Sequence, residues 1–298
     1  MIKGSIVAIV TPMHEDGSLD LAAFRALIDF HIAQGTDAVV VVGTTGESPT
    51  VDVEEHESLI QVAVEHAAGR IPVIAGTGAN STKEAIELAS FSKRAGANAS
   101  LTVVPYYNKP TQEGLYLHFK AIAEAVDKPL ILYNVPGRTG ANLEPATLGR
   151  LAQVKNIAGV KEASGNLSQI ADVFNAVPDD FLVFSGDDAV TLPVIALGGA
   201  GVISVASNEI PKEMAEMTRA ALANDWATAR QLHRKYLALM QANFIESNPI
   251  PVKAVLAMMG RIEENYRLPL VPMKKENRAK LEKIAQDAGL LKKAAAGF

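Results

Sequence analysis

Apolar residues recur along the chain in short unbroken runs, each followed by a stretch in which they return every three or four positions. The runs predict strands at Ile6–Val10, Ala38–Val42, Val73–Ala75, Ala99–Val104, Leu130–Asn134, Ile157–Lys161, Phe181–Ser185 and Gly201–Ser204. Most are continuous rather than alternating, as expected of parallel strands covered on both faces. The intervening stretches predict helices. In the first, Leu21, Phe24, Leu27, Ile28 and Ile32 share one helical face. Asp52 with Glu55, and Ser81 with Glu84, have capping-box spacing at helix starts. Gly35, Gly69 and Gly96 stand where helices should stop.

Eight such strand-then-helix units predict an α/β fold, a (β/α)8 TIM barrel. A doubly wound sheet is the rival arrangement, but it usually needs fewer strands. From residue 211 onward the pattern changes. Helical segments at 211–222, 225–243, 248–259 and 275–289 follow one another with no strand between. The expected organisation is a catalytic barrel over 1–224 and a C-terminal helical region over 225–298 packed on it. The tail 292–298, KKAAAGF, is expected to fray.

Composition narrows the function classes. The chain has 298 residues, 48% hydrophobic and 20% charged, a globular profile. A net charge of −5 without a basic cluster argues against a nucleic-acid partner. The absence of cysteine excludes disulfides, thiolate metal sites and cysteine nucleophiles, and it fits a cytoplasmic location. The apolar run Ser5–Val10 is too short for a signal-peptide core. Ala189–Ser207 carries no charge, but Pro193, Gly198, Gly199 and Gly201 make it a helix, a glycine turn and a buried strand rather than a membrane span. The six histidines show no ligand spacing, so no catalytic metal is expected.

A parallel barrel carries its site at the C-terminal ends of the strands, which selects a few residues. Lys161 ends an apolar strand, with Gly159 and Ala163 on its face by period-two alternation. Facing inward, its amine would be desolvated and nucleophilic near neutral pH, suited to a Schiff base with a carbonyl substrate. The alternative is a strand-end lysine paired with a neighbouring acid, and the strand alone does not choose. Gly43-Thr44-Thr45-Gly46 is either a backbone nest for a carboxylate or an ordinary turn. Tyr107 and Tyr133 either move protons or pack. Arg138, in a loop with Pro136 and Gly137, either clamps a carboxylate or lies solvated. Gly76-Thr77-Gly78 resembles the start of a dinucleotide loop, but Ser81 stands where the third glycine belongs, and that reading is rejected.

Longer motifs carry a resemblance. GTTGES at 43–48, VVPYYNKPTQEGLYLHF at 103–119, LYNVPGRTG at 132–140, GVKEASG at 159–165 and NPIPVKAVL at 248–256 resemble the 4-hydroxy-tetrahydrodipicolinate synthase family, in order, from the first strand to about residue 290. The resemblance implies condensation of pyruvate with L-aspartate 4-semialdehyde, in lysine biosynthesis, without a cofactor. It implies that Lys161 forms the iminium with pyruvate and that Thr45 holds its carboxylate. Tyr133 would carry protons, in a relay with Thr44 and Tyr107. Tyr107 would enter from the neighbouring subunit of a homo-oligomer, a dimer of dimers. Arg138 would bind the semialdehyde carboxylate, and Gly186 and Ile203 would line the pocket. Ser48, His56, Asn80, Glu84 and Tyr106 match an allosteric L-lysine site, although Val53 replaces a histidine and Pro49 an alanine of some inhibited members. Within the same superfamily the alternatives are N-acetylneuraminate lyase and 2-keto-3-deoxy-sugar-acid aldolase, which take longer hydroxylated substrates. A non-catalytic metabolite-binding barrel would have no need of a nucleophilic amine.

Overall fold

A computed structural model describes residues 2–291; the tail expected to fray lies outside the described residues. The strands are β1 Gly4–Ala8, β2 Ala38–Val41, β3 Val73–Gly76, β4 Ala99–Val103, β5 Leu130–Asn134, β6 Ile157–Glu162, β7 Leu182–Ser185 and β8 Gly201–Ser204. They pair in parallel in chain order, and β8 returns to β1 to close the barrel. The helices are α1 Leu21–Gln34, α2 Val53–Ala67, α3 Thr82–Ala95, α4 Gln112–Ala125, α5 Pro136–Thr139, α6 Pro145–Leu151, α7 Leu167–Ala176, α8 Thr191–Ala196, α9 Pro211–Leu222, α10 Trp226–Ala242, α11 Ile250–Met258 and α12 Lys275–Asp287.

Local rules explain most boundaries. Asp52 and Glu55 form the complete capping box of α2, while at α3 only the Ser81 half is made. Gly35 and Gly96 end α1 and α3 in left-handed conformation. The third stop is shifted: Ala68, not Gly69, is the left-handed cap of α2. The first strand is also shifted. Ile9 and Val10 are buried as their apolarity demands, but the Val10 N–H bonds the Asn208 side chain and leaves the ladder. At the other end, Gly4 pairs with Gly201. A Cβ on Gly201 would run into the Gly4 carbonyl, so the close approach of the two strands requires glycine at 201. The uncharged run resolves as expected, into α8, the Gly198–Gly199 turn and β8.

Alternation divides the strand residues between two cores. Ile6, Val40, Ile74, Leu101, Ile131, Phe184 and Ile203 fill the barrel interior. Their neighbours, such as Val39, Val41, Val160 and Val183, face the helices. Complete burial of each such side chain contributes roughly 1.5–3 kcal/mol. The interior is thus an apolar floor, and among the described residues its polar groups lie in the last inward-facing layer. After α9 the chain adds α10, α11 and α12, whose apolar faces build two further clusters around Tyr236, Leu239, Met240, Val255 and Leu281.

Candidate active site

Lys161 and Tyr133 are that last layer. The β5–β6 register sets them directly opposite each other, and both are buried. Glu162, the acid next to Lys161 in the chain, faces the other way. There it accepts hydrogen bonds from Asn134 Nδ2 at 3.0 Å and the Ser164 N–H at 2.6 Å. Unlike Lys253, which is salt-bridged to Glu47, Lys161 has no carboxylate within salt-bridge distance among the described residues. Burial brings its amine from 10.5 down to about 8; the buried Asp188 carboxylate works against this, and the Arg138 guanidinium reinforces it. A change of that size disfavours the ammonium by roughly 3 kcal/mol. The Tyr133 phenol is pushed up by burial, partly offset by Arg138 and the Thr44 hydroxyl. Gly186 faces the lysine stem, where a Cβ would lie 2.6 Å from Ala163 Cβ and 3.1 Å from Lys161 Cε. A side chain there would displace the amine.

These residues open onto a cavity of about 220 Å³ lined by Thr44, Thr45, Tyr133, Arg138, Lys161, Gly186, Asp187, Phe244 and Asn248, among others. In the β2 turn the N–H groups of Gly46 and Glu47 close onto Gly43 O and Thr44 O. Those of Thr44 and Thr45 have no protein partner among the described residues. Asn248 Nδ2 donates to Thr45 Oγ1 at 3.0 Å, which leaves the threonine's own proton free to donate. Arg138 is not in an irregular loop: it sits on the one-turn helix α5, started by Pro136, and its Nη2 donates to Asn248 O at 3.2 Å.

Two expected members stand apart. Tyr107 is 89% exposed and does not line the cavity of its own chain. Ile203 is fully buried in the barrel interior rather than on the cavity wall. Asn248 and Phe244 were not singled out by sequence. Asn248 opens the NPIPVK motif, so for it the motif was the available signal.

A second cavity, of about 270 Å³, adjoins the first. It shares Thr44, Val135 and Arg138 as wall and is also lined by Ser48, His56, Glu84 and Tyr106. Asn80 is outside it, donating to the Tyr106 carbonyl at 3.2 Å. His56 Nε2 lies 2.6 Å from Gly76 O. A carbonyl only accepts, so Nε2 carries the proton and Nδ1 is an acceptor. Burial lowers the His56 pKa, against the Gly76 bond and the Glu84 charge, and so favours the neutral ring. Pro49 and Val53 also face this cavity.

A closed parallel barrel with convergent polar groups at the carboxyl ends of its strands defines an α/β-barrel enzyme. Its particular kind follows from comparison. The model of the dihydrodipicolinate synthetase family matches residues 1–288, and the chain belongs to that family. It is 64% identical over 294 residues to the 4-hydroxy-tetrahydrodipicolinate synthase of Koribacter versatilis, covering 98% of each chain. The chloride-inhibited dihydrodipicolinate synthase of Acinetobacter baumannii, solved with pyruvate, superposes with a TM-score of 0.96 at 50% identity, over 98% of this chain and 100% of that one. The enzyme of Cyanidioschyzon merolae, solved with lysine bound, superposes with a TM-score of 0.95 at 43% identity, over 97% and 99%. Among the described residues no helix is long and apolar enough to cross a membrane.

Proposed function

We propose that the chain condenses pyruvate with L-aspartate 4-semialdehyde to 4-hydroxy-tetrahydrodipicolinate, the activity its relatives are named for, through a Schiff base on Lys161. The observation that carries this reading is a buried amine, brought down to about 8, facing a small polar cavity beside a tyrosine. Pyruvate binds with its carboxylate on the Thr44 and Thr45 N–H groups and the Thr45 hydroxyl. The neutral amine adds to the ketone, Tyr133 delivers a proton to the oxygen, and water leaves. The iminium is an electron sink, so a methyl proton departs and an enamine forms. Its carbon attacks the aldehyde of the second substrate, whose carboxylate Arg138 holds. The substrate amine then displaces Lys161, which closes the ring and frees the enzyme. Every step moves a proton, which is the task of the Thr44–Tyr133 hydroxyls.

The exposed Tyr107 supports an oligomer in which Tyr107 of the partner subunit completes this relay. The adjoining cavity supports L-lysine as an effector: the Glu84 carboxylate pairs with an ammonium, and the Ser48 and Tyr106 hydroxyls bond an amino-acid head. The wall shared through Thr44 and Arg138 gives that ligand direct contact with the catalytic cavity.

Borohydride reduction in the presence of pyruvate tests the reading. A reduced three-carbon adduct is expected on Lys161; an adduct elsewhere, or none, overturns it.

A further inference from the structure

Glu47 and Lys253 form a salt bridge of 2.5 Å with both side chains fully buried. Such a pair is weak evidence for stability, because desolvating two charges offsets most of their attraction. Its surroundings point to a different use. Glu47 is the last residue of the turn that presents the Thr44 and Thr45 N–H groups, and it holds a left-handed backbone, φ 59°, which a non-glycine side chain disfavours. Lys253 lies on α11, five residues beyond Asn248. Three side chains from distant parts of the chain grip this one turn. Thr11 Oγ1 donates to Gly46 O at 2.7 Å, Asn248 Nδ2 to Thr45 Oγ1, and Lys253 Nζ to Glu47 Oε1.

We propose that Glu47 and Lys253 are a positioning pair, which holds Glu47 in its left-handed backbone and thereby fixes the preceding Thr44–Thr45 turn so that its free N–H groups converge on the carboxylate of the 2-keto-acid substrate. The pair touches no substrate; it acts through the turn. A buried ion pair suits this task, since its length and direction are set more narrowly than those of an apolar contact. It also makes α11 part of the binding apparatus, although the barrel closes without it. The inference rests on the keto-acid reading above, and its test is arranged so that the two fail separately.

The test is the double variant Glu47→Met with Lys253→Met, which replaces the pair by apolar side chains of similar length and leaves no buried charge unpaired. Iminium formation is followed by borohydride trapping against pyruvate concentration, with kcat measured at saturating pyruvate. Trapping on Lys161 in the unaltered protein bears on the Schiff-base reading. The difference between unaltered and altered protein bears on the pair. The pyruvate concentration for half-maximal trapping should rise on the order of tenfold or more, with kcat at saturation retained within a few-fold and thermal stability close to that of the unaltered protein. An unchanged pyruvate dependence overturns the proposal. If the double variant does not fold, Glu47→Gln is measured in its place. It keeps the shape and one hydrogen bond but removes the negative charge, and a twofold or larger rise is expected, with no rise overturning the proposal.

Discussion

The Lys161 ammonium lies 4.4 Å from the centre of the Tyr133 ring. The parallel register of β5 and β6 produces this directly, since the two residues are Cα partners on the inward face of adjacent strands. The amine therefore rests on an aromatic surface, with the Tyr133 phenol within its own layer. In the proposed reaction, one wall of the cavity supplies both the nucleophile and its proton carrier.

The first expectation concerns pH. The amine must be neutral to attack, and it titrates at about 8. Turnover at low pyruvate should rise about tenfold per pH unit below pH 7 and level off above pH 8, as for a single base in the free enzyme. Asp188 favours the ammonium form. Asp188→Asn should therefore move the inflection of kcat/KM to lower pH, and an inflection that stays in place would dismiss the carboxylate's influence.

Arg138 should bind the carboxylate of the second substrate and not that of pyruvate. Its guanidinium reaches the cavity from α5 and is braced by Asn248 O. Arg138→Ala should lower kcat/KM for the semialdehyde about 10- to 100-fold, the equivalent of ~1.5–3 kcal/mol for a charged hydrogen bond. Borohydride trapping of pyruvate on Lys161 should continue at nearly the original concentration dependence. Equal loss of both functions would assign Arg138 a structural part instead.

L-Lysine should inhibit at millimolar concentration or below, and Glu84→Ala should weaken that inhibition at least tenfold while leaving uninhibited turnover intact. Glu84 faces the second cavity together with His56 and Tyr106. Pro49 and Val53 make part of that wall apolar, so Val53→His should tighten the effector. A titration of initial rates at saturating pyruvate measures both, and inhibition unaltered by Glu84→Ala would place lysine elsewhere.

Acid should destabilise the fold through two buried imidazoles. Burial lowers His31 from 6.5 to about 3, with a smaller contribution from the Arg261 charge, and burial lowers His118 to about 4. Between those values and pH 6.5 the unfolded chain binds protons that the folded chain refuses. Stability therefore rises with pH across that window and falls as acid is added. Urea midpoints at pH 4.5 and pH 7 should differ clearly. The gap should shrink in His31→Phe, which retains an aromatic side chain in that buried space and cannot titrate.

The chain's own pattern determined the alternation of strands and helices, the helix caps at Asp52, Gly35 and Gly96, and the strand-end motifs around Thr44, Tyr133, Lys161 and Gly186. All of these are local: a period of two or 3.6, a cap or a turn is written within a few neighbouring residues. The orientation of Lys161 was not local. Alternation put it on one of two faces, and only closure of β8 onto β1 made that face an interior. The same closure buried Ile203 in the interior rather than on the cavity wall, and it left Tyr107 on the outside. The pairing of Tyr133 with Lys161 is a register between strands 28 residues apart. The approach of Asn248 and Lys253 to Thr45 and Glu47 spans more than 200 residues. Contacts of that range depend on how the barrel closes and where the C-terminal helices pack, and no periodicity along the chain encodes them.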